Sequence, residues 1–290
     1  MPYRFETLDV FTDRRFGGNP LAVFTDAAGI GEAEMQALGN EFNLSEITFV
    51  FAPEDPANTA KVRIFTPAHE MPFAGHPSIG TAWVLARHGK AKGGEIRLEV
   101  PAGVVRVVMA HGADGEVTGG MLTAPQPLST GRTVDVATIA ACAGLAPEDV
   151  VTATHPPIAA SVGASFVFAE VTPEALPRAL PELSGFRAAT RAYGPRFELF
   201  LYARDGDRID ARMFAPLVGV VEDPATGSAN AALAALLLSI LGGDEARFAV
   251  RQGETMGRLS LLDIEALRTP EGILGRVGGS CVAMMTGEFL

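Results

Sequence analysis

A stretch of strand, turn and helix is written twice in this chain, and that repeat limits the folds open to it. Arg63-Ile64-Phe65-Thr66-Pro67 leads to Phe73-Ala74-Gly75-His76-Pro77, and Arg212-Met213-Phe214-Ala215-Pro216 leads to Glu222-Asp223-Pro224-Ala225-Thr226-Gly227-Ser228. The two Arg-x-Phe-x-Pro pieces, from Arg63 and Arg212, lie 149 residues apart, and Gly75 and Gly227 lie 152 apart. Each glycine is followed by a polar residue and then by an apolar, alanine-rich run. The pattern predicts a strand, a tight turn and the amino end of a buried helix, in duplicate. Such a helix has almost no polar face, so it must be enclosed on all sides. Short strands wrapped around one central helix, twice over, is the architecture expected.

Helix starts carry unpaired N–H groups and the positive end of the helix dipole, which suits an anion. Two such starts facing one cleft would grip a small carboxylic acid from both sides. The strand pattern around them is dense. Tyr3 to Phe11, Leu21 to Phe24 and Ile47 to Phe51 read as strands, and Gly31 to Phe42 as a helix with Met35, Leu38 and Phe42 on one face. Ser78 to His88 and Ser228 to Leu241 read as the two central helices. Near the end, Ile273 to Val277 and Cys281 to Thr286 read as two strands. The composition of Leu128-Ser129-Thr130-Gly131 marks the best candidate boundary between halves.

Composition closes off several classes. A formal charge of −11 argues against non-specific nucleic-acid binding, which needs a basic surface. The longest apolar run, Ala231 to Leu241, is interrupted by Ser239 and falls short of the roughly 20 residues that span a bilayer. Met1-Pro2-Tyr3-Arg4-Phe5-Glu6 lacks the order of a secretory leader, so a cytoplasmic location is expected. Cys142 and Cys281 are too few for a disulfide framework and read as buried free thiols. No His, Cys or Asp cluster has metal-ligand spacing, and neither a dinucleotide loop nor a Walker motif is present, so neither metal nor cofactor is expected.

Five side chains could carry chemistry. Glu46 stands at a helix-to-strand junction beside Leu44, Ile47 and Phe49; loss of solvation there would raise its pKa and suit it to proton transfer. A surface glutamate paired with an arginine is the plainer alternative. His76 follows Gly75 at a helix start, where the dipole would favour neutral imidazole; it could instead simply bond backbone. Asp223 could hold a substrate amino group, or accept N–H bonds in its turn. Ser228 and Thr226 read most simply as helix caps, a role compatible with binding a carboxylate. Arg63 and Arg212 read as ion-pairing or turn-fixing residues.

Taken together, Asn43-Leu44-Ser45-Glu46, Phe73-Ala74-Gly75-His76-Pro77 with Gly80, and Glu222 to Ala229 resemble the signatures of PhzF-like proteins, the phenazine-biosynthesis isomerase family. Phe16-Gly17-Gly18-Asn19-Pro20 and Val277-Gly278-Gly279 resemble it too, so the likeness runs along essentially the whole chain. The resemblance implies the α+β diaminopimelate epimerase-like fold: two pseudo-symmetric halves, each a curled mixed sheet around a central apolar helix, with the active site in the cleft between them. It implies that the last strand returns to the first half, giving residues 1–130 plus 280–290 against 131–279. It implies a cofactor-independent isomerase that moves a proton between carbons of a small cyclic or amino-bearing carboxylic acid. In that reading Glu46, His76 and Asp223 are catalytic, and Gly75, Ser78, Thr226, Gly227 and Ser228 bind substrate. A homodimer is implied by resemblance alone. Diaminopimelate epimerase and proline racemase place two cysteines at the paired helix starts; here those places resemble His76 and Ser228, which argues against a two-thiol mechanism. The alternatives are an amino-acid racemase or epimerase, a serine hydrolase using Ser228, His76 and Asp223, and a non-catalytic ligand-binding protein on the same fold. Ala225 to Ala229 lacks the second glycine of a nucleophile elbow, which weakens the hydrolase.

Overall fold

A computed structural model of the chain describes residues 3–289. The elements run β1 (Tyr3–Val10), β2 (Asn19–Phe24), α1 (Glu32–Phe42), β3 (Glu46–Phe51), β4 (Ala60–Phe65), β5 (Glu70–Met71), α2 (Gly75–Arg87), β6 (Glu95–Val100), β7 (Gly103–His111) and β8 (Val117–Thr123). There follow β9 (Ser129–Thr133), α3 (Val136–Ala143), β10 (Val150–Val151), β11 (Ile158–Ser161), β12 (Ser165–Val171), α4 (Leu183–Tyr193), β13 (Leu199–Asp205), β14 (Arg208–Ala215) and β15 (Val220–Asp223). The chain ends with α5 (Gly227–Leu241), β16 (Glu245–Gln252), β17 (Ser260–Thr269) and β18 (Gly272–Phe289). Two compact units emerge: one runs to Pro125 and is taken up again from Arg276, and the other is Gln126–Gly275.

In the first unit the sheet closes on itself. β1 pairs with β2, β2 with β3, β3 with β4, β4 with β6, β6 with β7 and β7 with β8; the β2–β3 and β4–β6 pairs are parallel and the others antiparallel. The final strand then pairs with β8 over Arg276–Ser280 and with β1 over Cys281–Phe289, completing the ring. Closure leaves no open edge in the ring. Inside lies α2, buried from Gly75 to Ala86. Its apolar run has no polar face to offer solvent, so the barrel interior is where it is stable. Gly80 sets how close it comes: a Cβ there would stand 2.5 Å from Leu21 Cδ2 and 2.9 Å from Val10 Cγ2. On the outer side, α1 lays Met35 and Leu38 over Phe24, Phe49 and Phe65.

The second unit repeats the plan. Its sheet runs β9–β11–β12–β13–β14–β16–β17, with β12–β13 and β14–β16 parallel. α5 is buried from Gly227 to Leu238 and packs on β11, β12, β16 and β17. The opposite sheet face is covered by α3 and α4, through a cluster that includes Ile139, Phe186, Leu199, Leu201 and Phe214.

Four local expectations change. α2 starts at Gly75 rather than Ser78, because Pro77 sits in the first turn, where no backbone N–H is needed. The expected break at Gly278-Gly279 is absent: β18 is one strand of 18 residues. The glycines there permit close pairing instead, since a Cβ on Gly119 would stand 2.0 Å from Gly279 O. Ser129–Thr133 forms β9, paired with β11; all five residues are exposed, so no alternation betrays the strand. α4 was not foreseen, although Phe186 and Ala189 lie buried three apart on its inner face.

Candidate active site

At the start of α2 a carboxyl and an imidazole come together. Asn43 closes α1 with left-handed backbone (φ 49°), which turns the chain directly into β3. Glu46 is the first residue of β3, held in register with Leu21 of β2. Its side chain is 16% exposed, and Oε2 lies 3.6 Å from His76 Nδ1. His76, second residue of α2, is 3% exposed. Burial drives its pKa down to about 3, and a hydrogen bond to the Pro20 backbone offsets this only in part. The imidazole is therefore neutral at ordinary pH. The neutrality expected from the helix dipole is met, but the leading cause is loss of water. Asn19 Nδ2 approaches His76 Nδ1 at 3.2 Å, and among the described residues Nε2 has no hydrogen-bond partner. Ser78 turns its hydroxyl back to Ala74 O at 2.7 Å, so it fixes the turn on which Gly75 and His76 sit.

The start of α5 is built differently. Asp223 ends β15 and is 6% exposed. Thr226 is the N-cap residue, yet its hydroxyl does not bond a helix N–H; it donates to Asp223 Oδ2 at 2.7 Å. Gln252, at the end of β16, reaches in to hold the turn. Its Oε1 accepts from Thr226 N (3.2 Å) and Asn230 Nδ2 (2.9 Å), and its Nε2 donates to Asp223 O (2.9 Å) and Thr226 Oγ1 (3.1 Å). Ser260 Oγ adds a bond to Pro224 O at 2.8 Å. Gly253 makes this approach possible: its φ is +76°, and a Cβ would stand 2.6 Å from Pro224 O. Gly227 and Ser228 form the buried first turn. Glu198, half-buried just before β13, has its pKa raised chiefly by burial; Arg196 opposes this and the charge of Asp223 adds to it.

Neither cysteine stands at a helix start. Cys142 lies in α3 and Cys281 in β18, both buried, and burial pushes the Cys142 thiol up to about 12 and the Cys281 thiol higher still. Such thiols do not supply the thiolates a two-cysteine racemase needs. Among the described residues, no three His, Cys, Asp or Glu side chains come together in a way that could hold a metal ion. No helix among them is long and apolar enough to cross a membrane. Arg63 and Arg212 are structural: Arg63 pairs with Glu70 and Glu32, and Arg212 with Glu222. Sequence reasoning missed Asn19, Asn230 and Gln252. The first carried a signal in its Gly-Gly-Asn-Pro turn; Asn230 is a polar residue in an apolar helix, and Gln252 continues the alternating buried face of Phe248 and Val250, mismatches that could have exposed them.

The family model described as "Phenazine biosynthesis-like protein" matches residues 8–287. An uncharacterized isomerase of Mesorhizobium japonicum is 35% identical, over 97% of this chain and 96% of its own. The trans-2,3-dihydro-3-hydroxyanthranilate isomerase of Pseudomonas chlororaphis is 33% identical, over 90% and 89%. Among solved structures, a PhzF-family phenazine biosynthesis protein of Bacillus anthracis matches with a TM-score of 0.88 at 22% identity, covering 100% of this chain and 99% of that one. A hydroxyproline epimerase of Agrobacterium vitis matches at 0.67 and 13% identity, covering 99% and 92%, a likeness of fold. A carboxyl beside a buried imidazole, two helix starts in repeat and a match of this extent lead to one conclusion: the chain belongs to the phenazine biosynthesis-like (PhzF) family, and it is an isomerase with the α+β diaminopimelate epimerase-like fold.

Proposed function

We propose that this isomerase moves a proton between carbons of a small cyclic or amino-bearing carboxylic acid without a cofactor, and that Glu46 carries the proton. The observation behind this reading is the Glu46–His76 pair: a carboxyl 3.6 Å from an imidazole kept neutral by burial. The Glu46 carboxylate takes the proton from an acidic C–H, and the electron pair passes into the conjugated system of the substrate. The resulting carboxylic acid returns the proton at another carbon on the same face, which restores Glu46. Neutral His76 can donate or accept a hydrogen bond beside the developing charge without competing for the proton. N–H groups at Gly75 and His76, and at Gly227 and Ser228, suit a carboxylate or an enolate-like oxygen, a contribution often large in such chemistry. Asp223, oriented by Thr226, serves the amino group or relays a proton.

The substrate class draws on kinship: the Pseudomonas chlororaphis relative is named for a cyclic amino acid bearing a hydroxyl group. Trans-2,3-dihydro-3-hydroxyanthranilate is therefore the first compound to try, within a panel of small carboxylic acids incubated in deuterium oxide. Glu46→Gln keeps the shape and removes the base. It is expected to bind the responsive acid nearly as the parent does and to lose isotope uptake into carbon by about 10²- to 10⁴-fold. Uptake at the parent rate would remove Glu46 from the mechanism.

A further inference from the structure

The hydrogen bonds around Gln252 leave little choice about where their hydrogens lie. Thr226 N can only donate, so the atom of Gln252 that meets it must be Oε1. Asp223 O can only accept, so the atom that meets it must be Nε2. Both ends of this amide, 1% exposed, are thus pinned by backbone groups that cannot reverse their roles. Asn230 agrees, since its Nδ2 faces two acceptors, Thr226 O and Gln252 Oε1. It follows that Nε2 donates its second hydrogen to Thr226 Oγ1. A hydroxyl carries one hydrogen and two lone pairs. With one lone pair taken by Gln252, the hydrogen of Thr226 is directed at Asp223 Oδ2, 2.7 Å away.

We infer that Gln252 is a positioning residue for the isomerase reaction: it fixes the direction of the single Thr226 hydrogen, so that Asp223 Oδ2 is held as an acceptor. The inference rests on the reading of Asp223 as a participant in the reaction. A proton arriving at Oδ2 would turn the Thr226 hydrogen away, toward an Nε2 that is itself a donor. That hydrogen would then be buried without an acceptor, an expensive arrangement. Gln252 acts here without touching substrate. It is on β16 and follows Asp223 by 29 residues, so the local Asp-Pro-Ala-Thr turn is not sufficient by itself. The same amide also ties the N-cap residue of α5 to the second turn of that helix, so the direction of the hydrogen bond and the placement of the helix start are set by one group.

The test reads the titration of Asp223 in the ligand-free protein by carbon-13 NMR, with its resonance assigned by its loss in Asp223→Asn. Gln252→Met removes the donor without adding a charge, and Thr226→Val removes the hydroxyl while keeping the shape. In both, the Asp223 midpoint should move to higher pH than in the parent by about one pH unit, the effect of losing one hydrogen bond to a charged group. Thr226→Ser retains the hydroxyl and should keep the parent midpoint. Circular dichroism identifies variants that fold; Gln252→Leu replaces Gln252→Met if the latter does not. An unchanged Asp223 midpoint in a folded Gln252 variant, or in folded Thr226→Val, overturns the inference, even if stability has dropped. Failure of the underlying reading looks different. Asp223→Asn would then exchange substrate C–H for deuterium at the parent rate, whatever the titrations give.

Discussion

Arg63 and Arg212 hold the same place in the repeat and both stack over an aromatic ring two residues on, Phe65 and Phe214. Their surroundings diverge. Arg63 is 21% exposed and shares its guanidinium between Glu70 and Glu32, the second of which is 75% exposed. Arg212 is 7% exposed, takes Glu222 through two nitrogens, and gives Nη1 to the carbonyls of Leu176 and Ala179. The helix starts that follow diverge as well. The first presents a neutral imidazole beside a glutamate, and the second a carboxylate bonded by a threonine hydroxyl. The repeat keeps the scaffold and varies the polar groups: one unit sets a glutamate beside a neutral imidazole, the other bonds an aspartate into a network of threonine and glutamine.

The largest expected effect breaks or sustains that division directly. If the first helix start moves the proton, Glu46→Gln should sit near the upper end of a roughly 10²- to 10⁴-fold loss in isotope exchange, and Asp223→Asn near the lower end. Exchange rates for the two variants on one substrate decide it; a greater loss in Asp223→Asn would reverse the assignment.

The arginines come next, read by urea unfolding. Arg212→Met removes the guanidinium that serves the largely buried Glu222 carboxylate and the carbonyls of Leu176 and Ala179, and should cost about 3–5 kcal/mol. Arg63→Met breaks a partly exposed pair and should cost about 1 kcal/mol or less. Equal costs would mean that depth is not what separates the two copies. A smaller contrast concerns glycine. In Gly185→Ala the new methyl meets Ala141 O at 2.3 Å, a backbone atom that cannot swing aside. In Gly80→Ala it meets the ends of the Leu21 and Val10 side chains, which can shift. Losses of about 3 and about 1 kcal/mol are expected.

The same contrast explains what the sequence made legible. The duplicated strands and both central helices stood out because each copy is a local pattern: an arginine–aromatic–proline strand, a turn glycine and an unbroken apolar run. Glu46 stood out beside its apolar neighbours Leu44, Ile47 and Phe49, and His76 by its place after the turn glycine at a helix start. Gln252 was hidden because its role depends on a turn 26 to 29 residues earlier, brought close by the parallel pairing of β14 with β16. α4 was masked by Gly185 in its first turn, where the backbone of α3 comes too near for any side chain. The continuity of β18 was masked by Gly278 and Gly279, which read as a break and serve as a close ladder.

The last contrast is a slope, and it belongs to the first helix start. Unfolded, His76 takes up a proton near pH 6.5; folded, its burial holds uptake off until about pH 3. Between those values the unfolded chain binds more protons through this residue than the folded one. Its contribution is therefore fully present above about pH 6.5 and is lost as pH falls toward 3, at about 1.4 kcal/mol per pH unit. His76→Gln removes this titration without adding a charge, so its stability should fall less steeply over that window, whatever the change in absolute stability. No comparable flattening should follow Thr226→Ser at the other helix start, where the hydroxyl network remains. Unfolding free energies measured at several pH values for the parent and both variants test this. Equal slopes for parent and His76→Gln would mean that the imidazole is reached by protons in the folded state, and the neutral partner assigned to Glu46 would have to be given up.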